Sequence, residues 1–401
     1  MSPRRAVVIG AGIGGLTAAL GLHRRGWRIT VLERAATLAP VGAALTLAPN
    51  AQRALAVLSL GEEVRRLAAW DGDALLRDPR GRPLARTTSE SVITRFGGPL
   101  VVLRRSDLID LIVGRLPEGS IRTGEPAFLA DAGGPGRPAK VSTAGEVVYE
   151  ADLVVCADGV NSTSRRVLFP QHPGPAYGGW TVWRILAPTP PRFVPHETWG
   201  GGHVWGSLIR DSEGVFIYAC AVTERGGRSA DGEKAELRRR FGHWHHPVPA
   251  LLDSVGEEDI LRHDVFHMAQ PLERYQSGRA VLLGDAAHAM VPTLGQGANM
   301  AIEDSVVLAH HAAPGADLPA ALARYDQQRR PRTTALIRRA ERASRLMSVR
   351  SPAALALRDG AIRAMSKVVP ALLLRGFDGV ADWHPPVTPQ DPRPHDTHVA
   401  G

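Results

Sequence analysis

The chain has 401 residues, 44% hydrophobic and 22% charged, the composition of a globular protein with ample length for a core in two domains. Its formal charge of +8 comes from 48 basic residues of which all but Lys140, Lys234 and Lys367 are arginine, spread along the chain with no basic block interleaved with aromatics, which argues against nucleic acid. Two cysteines, Cys156 and Cys220, make no disulfide framework, nothing before the first strand reads as a signal peptide, and no apolar stretch reaches the roughly 18 residues of a membrane span; the expected location is cytoplasmic, without stable membrane insertion.

Residues 5–9 form a short apolar run that predicts a buried parallel strand. It meets Gly10-Ala11-Gly12-Ile13-Gly14-Gly15, and residues 16–25 read as a helix. In this arrangement Gly10 permits the tight turn, Gly12 lets a pyrophosphate approach the backbone, and Gly15 lets helix and strand pack closely. The helix N-terminus offers free N–H groups to phosphate. A second apolar strand, residues 29–32, ends at Glu33, placed to accept hydrogen bonds from an adenosine ribose. An acid there favours a free 2′-hydroxyl, as in FAD or NAD.

Gly42-Ala43-Ala44-Leu45 reads as a small-residue loop, residues 51–58 as a helix, and residues 75–85 as a hairpin turning at Asp78-Pro79-Arg80-Gly81. Residues 100–103 predict a strand feeding a helix capped by Ser106. Residues 152–156 are a further buried strand, which delivers Ala157-Asp158-Gly159-Val160-Asn161-Ser162. From Tyr177 to His267 aromatics cluster and short strand-like segments predict a mostly antiparallel sheet, taken as a substrate domain. Residues 279–283 return to the parallel-strand pattern and end on Gly284-Asp285-Ala286-Ala287-His288. Helices are expected over about 297–312, 320–348 and 353–374, then a proline-rich disordered tail from His384.

The three glycine-bearing motifs, in this order and far apart, suit one large two-ended cofactor, FAD. Asp285 at a strand end can accept hydrogen bonds from a polyol such as ribitol. Gly295 and Gly297 let backbone pass close to a flat ring. The helix beginning there can stabilise negative charge on a reduced ring.

These residues resemble those of the FAD-dependent aromatic hydroxylases, the class A flavoprotein monooxygenases with the para-hydroxybenzoate hydroxylase fold, in their compact salicylate-hydroxylase form. The resemblance covers residues 1 to about 350. It rests on Gly10 to Gly15 with Glu33-Arg34, Arg105-Ser106-Asp107-Leu108, Ala157 to Ser162 with Arg165, and Gly284 to Asn299 with Glu303-Asp304. It implies an α/β fold: a Rossmann-like FAD-binding domain with a parallel sheet, interleaved with an antiparallel substrate domain and followed by C-terminal helices. The expected FAD-binding parts are 1–74, 98–170 and 279–315, with a substrate-domain hairpin at 75–97, the substrate domain at 171–278, C-terminal helices at 316–382 and the tail at 383–401. It also implies that Arg105 contacts the middle of FAD and Asp158 and Gly159 serve FAD and NAD(P)H. Asp285 would bind ribitol, and Pro292, Gly295, Gly297, Ala298 and Asn299 would line the isoalloxazine. Ala44 and Leu45 fall near the ring and Ala127 near the adenine. Cys156, and Ile185 after Trp183-Arg184, depart from the family pattern by standing where glycine is common.

The activity so implied is hydroxylation of an aromatic or polycyclic small molecule through a flavin C4a-hydroperoxide, using non-covalent FAD with NAD(P)H and O2 as co-substrates. Arg184, in the segment Tyr177 to Arg184, and Pro292 are the catalytic candidates, with His203 and His267 as further possibilities in the substrate region. The alternatives are another FAD oxidoreductase on the same scaffold (dehydrogenase, reductase or epoxidase) and a non-catalytic flavin-binding protein. No metal site is expected: His243-Trp244-His245-His246 has no acid or cysteine partner in sequence and reads as a surface loop. Residues 329–345 read as a solvated basic helix face. The expected assembly is a monomer or homodimer.

Overall fold

The computed structural model describes residues 3–38, 44–70, 72–191, 193–209, 214–313, 315–368 and 374–386. Strand β1 (Arg5–Ile9) buries Ala6, Val7, Val8 and Ile9, as a parallel strand covered on both faces must. It leads through α1 (Ile13–Arg24) to β2 (Arg28–Leu32), parallel to β1 with Leu32 opposite Ile9.

Then come β3 (Ala44–Leu47), α2 (Pro49–Val57), α3 (Gly61–Arg66), β4 (Ala74–Arg77), β5 (Pro83–Thr87), α4 (Ser89–Phe96), β6 (Val101–Arg104) and α5 (Arg105–Val113). Two expectations are corrected here. Ala44 and Leu45 lie in a strand, β3, because the apolar edge of β6 needs a partner: Leu45 pairs with Leu103 and Leu47 with Val101. Gly42 and Ala43 lie outside the described residues. Ser106 does not cap α5. The extended residue preceding that helix is Arg104, and the Ser106 hydroxyl turns to Asp107 at 3.1 Å instead.

Strand β7 (Ile121–Arg122) extends the sheet beyond β2; β8 (Ala127–Asp131), β9 (Ala139–Thr143) and β10 (Val148–Ala151) form a separate antiparallel sheet. Strand β11 (Leu153–Cys156) returns to the other side of β1 and runs on to α6 (Thr163–Leu168).

The second large sheet is built from β12 (Ala176–Pro188), β13 (His196–Trp199), β14 (His203–Ile209), β15 (Gly214–Val222) and, after α7 (Glu233–Phe241) and α8 (Val248–Asp253), β16 (Ile260–His267). Its order is β16-β12-β15-β14-β13-β4-β5, so the early hairpin joins it at one edge. Every pair is antiparallel except β13 with β4. Period-two alternation divides its faces. Trp183, Ile185, Trp205 and Ile217 pack under Leu237 and Phe241 of α7 and Leu251 and Leu252 of α8. Trp244 of the His-Trp-His-His segment joins that core, and His245 Nε2 lies 2.9 Å from Thr198 Oγ1. The segment is therefore anchored to the sheet, because burying an indole outweighs leaving it in water.

β17 (Gln276–Ser277) and β18 (Ala280–Leu282) complete the first sheet in the order β17-β18-β11-β1-β2-β7, parallel apart from β17. The chain then passes through α9 (Asp285–His288), a 3-10 turn at Pro292–Leu294, α10 (Gly297–His311), α11 (Leu318–Met347) and α12 (Pro352–Val368). The basic stretch of α11 is only partly solvated. Arg329 is 1% exposed, bonded to Glu303 and Asp304 at 2.6 Å each, and Arg332 also grips Glu303 at 2.7 Å. Acids buried on the facing helix draw these arginines inward; Arg338, Arg342 and Arg345 remain exposed. Most of the tail beyond His384 lies outside the described residues, and among the described residues no helix is long and apolar enough to cross a membrane.

Candidate active site

The three glycine-bearing motifs leave the parallel sheet at one level. Gly10 N–H bonds Leu32 O at 2.8 Å, Ala157 N–H bonds Ile9 O at 2.9 Å, and Leu283 N–H bonds Cys156 O at 3.0 Å. The first two motifs thus start one residue beyond the row of Leu32, Ile9, Cys156 and Leu282, and the third two residues beyond it, outside the carboxyl ends of the strands, where ligands bind in open α/β sheets.

At the first motif Gly10 has φ +101°, and a Cβ there would lie 2.5 Å from Ala157 O. A Cβ on Gly15 would lie 2.0 Å from Gly10 O, and one on Gly14 would strike Leu283 and Ala301. Gly12 is different: nothing lies within 4 Å of its Cβ position, beside the start of α1. Ile13 is buried beneath it. Glu33 accepts the amides of Ala11 at 2.7 Å and Ala35 at 2.9 Å, which fixes its carboxylate beside the loop. Arg34 is exposed next to it. Glu125 N–H bonds Glu33 O at 2.8 Å, which brings Ala127, two residues on, to the same end.

At the second motif Asp158 accepts Ser162 Oγ–H at 2.6 Å and Ser164 N–H at 3.0 Å, tying off the start of α6. Gly159 has φ +79° and open space at its Cβ position. Arg165, 1% exposed, donates to Val160 O at 2.7 Å and to Ala286 O at 2.9 Å, joining this motif to the third.

Asp285, the first residue of α9, makes no capping bond and is exposed. Its Oδ1 lies 3.9 Å from the Cβ position of Gly297, where α10 begins. Gly295 has φ +61° with open space around it, directly after the Pro292–Leu294 turn. Ala298 packs partly buried on the main core. Asn299 is buried, and its side chain is fully used internally: Oδ1 accepts Ala48 N–H at 2.9 Å, and Nδ2 donates to Thr46 O at 3.1 Å and Gly295 O at 2.9 Å. It clamps the end of the strand carrying Ala44 and Leu45 against the Gly295 loop.

Arg105, the first residue of α5, and Arg184, on β12, both feel the charge of Asp285. The recess lowers the Arg105 guanidinium below its ordinary value, Arg184 adds to this, and Asp285 opposes it. The same recess lowers Arg184, against the pull of Cys220 and Asp285. Arg184 is nonetheless accessible to water. Arg105 Nε is buried without a partner among the described residues. The second face of the large sheet is apolar: Trp180, Val182 and Val204 cluster with Val291 and with Ala340 and Met347 of α11, and Tyr218, Cys220 and Leu294 pack against that cluster.

Of the two histidine candidates in the substrate region, one faces away from Arg184. His203 lies on the opposite face, bonded to Gly201 O at 2.8 Å with its ring 5.7 Å from Phe241. His267 lies 3.3 Å from Glu341 on α11. Sequence reading missed Tyr218 and Glu197. On adjacent strands Tyr218 stands directly opposite Arg184 and Gly206, while Glu197 stands opposite Gly206. Only strand register brings them together.

These features fit FAD. Open backbone at Gly12 beside the start of α1 suits a phosphate, Gly159 leaves open space at the second motif, and Arg105 Nε and the Asp285 carboxylate are polar atoms not used within the chain. Among the described residues no group of three or more His, Cys, Asp or Glu is placed to hold a metal ion.

Comparison with known proteins agrees. Residues 123–340 match a family described as FAD binding domain, and residues 5–88 match one described as FAD dependent oxidoreductase. The aurachin C monooxygenase/isomerase of Stigmatella aurantiaca is 32% identical over 370 residues, spanning 90% of this chain and 94% of that protein. The 3-amino-4-hydroxybenzoate 2-monooxygenase of Streptomyces cremeus is 35% identical over 354 residues, spanning 84% and 86%. The Klebsiella pneumoniae HpxO structure with FAD and uric acid superposes with a TM-score of 0.84 at 25% identity, over 94% of this chain and 96% of that one.

Proposed function

The chain belongs to the FAD-dependent aromatic hydroxylases, and from that premise we propose that it hydroxylates an aromatic small molecule in the hollow bounded by Arg105, Arg184, Asp285 and the Pro292–Leu294 turn. When bound, FAD supplies the redox chemistry, taking reducing equivalents from NAD(P)H and using O2 to place one oxygen on an electron-rich ring carbon. The chain does the rest. Gly12, Gly14 and the start of α1 receive the pyrophosphate, Glu33 the ribose near the adenine, Arg105 the middle of the cofactor, and Asp285 its ribitol. The backbone from Pro292 to Asn299, with Ala44 and Leu45, lines the ring.

Arg184 holds an oxygen of the substrate and favours its anionic form, which raises the electron density of the ring. The apolar wall of Val182, Val291 and Leu294 keeps water from the reacting atoms. Expected partners are a small aromatic substrate, NAD(P)H and O2, with the protein working in the cytoplasm as a monomer or homodimer. Two relatives are named for substrates bearing a ring hydroxyl, 3-amino-4-hydroxybenzoate and 6-hydroxynicotinate, which supports a phenol-like substrate here.

The observation that supports this reading is the departure of all three motifs from the carboxyl ends of neighbouring strands of one sheet. It is tested by anaerobic reduction of the FAD-bound protein with NADH and NADPH in the presence of hydroxylated aromatics. Acceleration by at least one ligand supports it, and a rate indifferent to every aromatic contradicts it.

A further inference from the structure

Helix α12 is apolar on the side turned to solvent. Its inner side is mounted on the substrate sheet. Arg358, buried, lies over the Trp199 ring at 5.7 Å and donates to Gly200 O at 3.3 Å. Ile362 packs with Leu84 and Ala85 of β5, and Arg363 donates to the buried Asp78 at 2.8 Å. On the opposite side Ala353, Leu357, Gly360, Ala364 and Val368 recur at three- and four-residue spacing, which makes one stripe along the helix. Leu357 is 76% and Val368 79% exposed, and Leu346, in the last turn of α11, is 44% exposed. A solvent-facing helix side is ordinarily polar, and exposed apolar residues in a row, unlike single ones, mark a contact surface.

Charge around the stripe has one sign. From Arg342 to Val368 four cations are exposed, Arg342, Arg345, Arg350 and Lys367, while the one acid, Asp359, is bonded to Arg358 at 2.9 Å. We propose that this face docks the protein reversibly on an anionic lipid surface, with Leu357 and Val368 at the acyl boundary and the cations among the headgroups. A second copy related by a two-fold axis would bring the same cations together. An acidic protein would find no aromatic side chain on α12, the kind of anchor around which protein interfaces are built. The chain beyond Pro386 offers little cover, since its apolar residues other than proline are Val387, Val399 and Ala400. Helix α12 has 17 residues, and among the described residues no helix is long and apolar enough to cross a membrane, so this one lies on the bilayer rather than through it. The inference concerns where the protein works and stands apart from the hydroxylase reading.

The test is flotation of the full-length FAD-bound protein with phosphatidylcholine vesicles, with and without phosphatidylglycerol, at low and high salt. Affinity for the anionic vesicles should exceed that for the neutral ones by about tenfold or more, and salt should erode the difference. The double variant Leu357→Asp, Val368→Asp should bind the anionic vesicles about tenfold more weakly or worse. Both side chains are largely exposed, so its thermal unfolding and FAD content should match the parent protein. The charge pair Arg345→Glu, Lys367→Glu should separately remove the preference for phosphatidylglycerol. No binding to either vesicle, equal affinity for both, or binding unchanged in the double variant overturns the inference. So does a dimer that the double variant dissociates, which would assign the face to a second copy. Binding to polyglutamate as tight as to the vesicles and indifferent to the double variant would assign the cations to an acidic protein, and also overturns it.

Discussion

Asn299 Oδ1 accepts the backbone N–H of Ala48 at 2.9 Å, joining the first residues of α10 to the residue that follows β3, 251 positions earlier in the chain. With Nδ2 bonded to Thr46 O and Gly295 O, this side chain sets the gap between the Ala44–Leu47 strand and the Gly295 loop, the two backbone segments assigned to the flavin ring. Asn299→Ala should leave the Ala48 amide buried without a partner and cost about 1–3 kcal/mol of stability. The loosened gap should weaken FAD as well. Thermal unfolding of the apoprotein and a flavin titration measure the two effects, and a variant with unchanged flavin affinity would remove the clamp from the account.

The glycines of the first motif separate binding from folding. Gly12→Ala places its Cβ in open space, so apoprotein stability should change by less than about 1 kcal/mol while FAD affinity falls sharply. Gly15→Ala forces a Cβ to 2.0 Å from Gly10 O and should cost about 3 kcal/mol through backbone displacement. Chemical denaturation of both variants without FAD distinguishes them.

Much of this site was legible in sequence because it is local. Strand, glycines and helix follow each other from Arg5 to Arg24, and Glu33 and Asp285 each sit at the end of an apolar run. What was not legible depends on distant partners. The burial of Arg329 follows from Glu303 and Asp304 on a facing helix, and a helix wheel of α11 alone shows only a basic face. Glu197, Gly206 and Tyr218 become neighbours through the register of three strands, and Ala44 is seen to be in a strand only once β6 is beside it.

The buried charges under α9 give a pH signature. Burial alone would raise the Asp304 carboxyl, but His288 at 2.5 Å and Arg329 at 2.6 Å outweigh it and hold it at about 2. A group depressed in the folded state contributes stability above its unfolded value, 3.8, and that contribution is lost as pH falls toward 2. It amounts to about 2 kcal/mol. Asp304→Asn should flatten the decline of stability over that window, as read by denaturant titrations at successive pH values. An identical slope in both proteins would contradict the pairing.

Removing the cation is predicted to be worse than removing one anion. Arg329→Met leaves Glu303 and Asp304 buried with their principal counter-charge gone, which should cost about 3–5 kcal/mol. Asp304 also accepts the Gly284 amide at 3.1 Å, so flavin affinity should fall with stability. A variant with the stability of the parent protein would contradict this.

Arg184→Gln separates substrate handling from cofactor binding. Affinity for a phenol-like ligand should fall about tenfold with loss of a charge-assisted bond, with FAD binding retained and more NAD(P)H consumed per product formed. Unaltered ligand affinity together with unaltered coupling would remove Arg184 from the substrate site.

The most direct measurement of the central claim is turnover under isotopically labelled O2, with FAD, NAD(P)H and a panel of hydroxylated aromatics, followed by product mass and hydrogen peroxide assay. The account predicts that at least one aromatic gains a single labelled oxygen with NAD(P)H consumed in step. If every equivalent of NAD(P)H is recovered as hydrogen peroxide and no aromatic carries the label, the hollow is not a hydroxylation site.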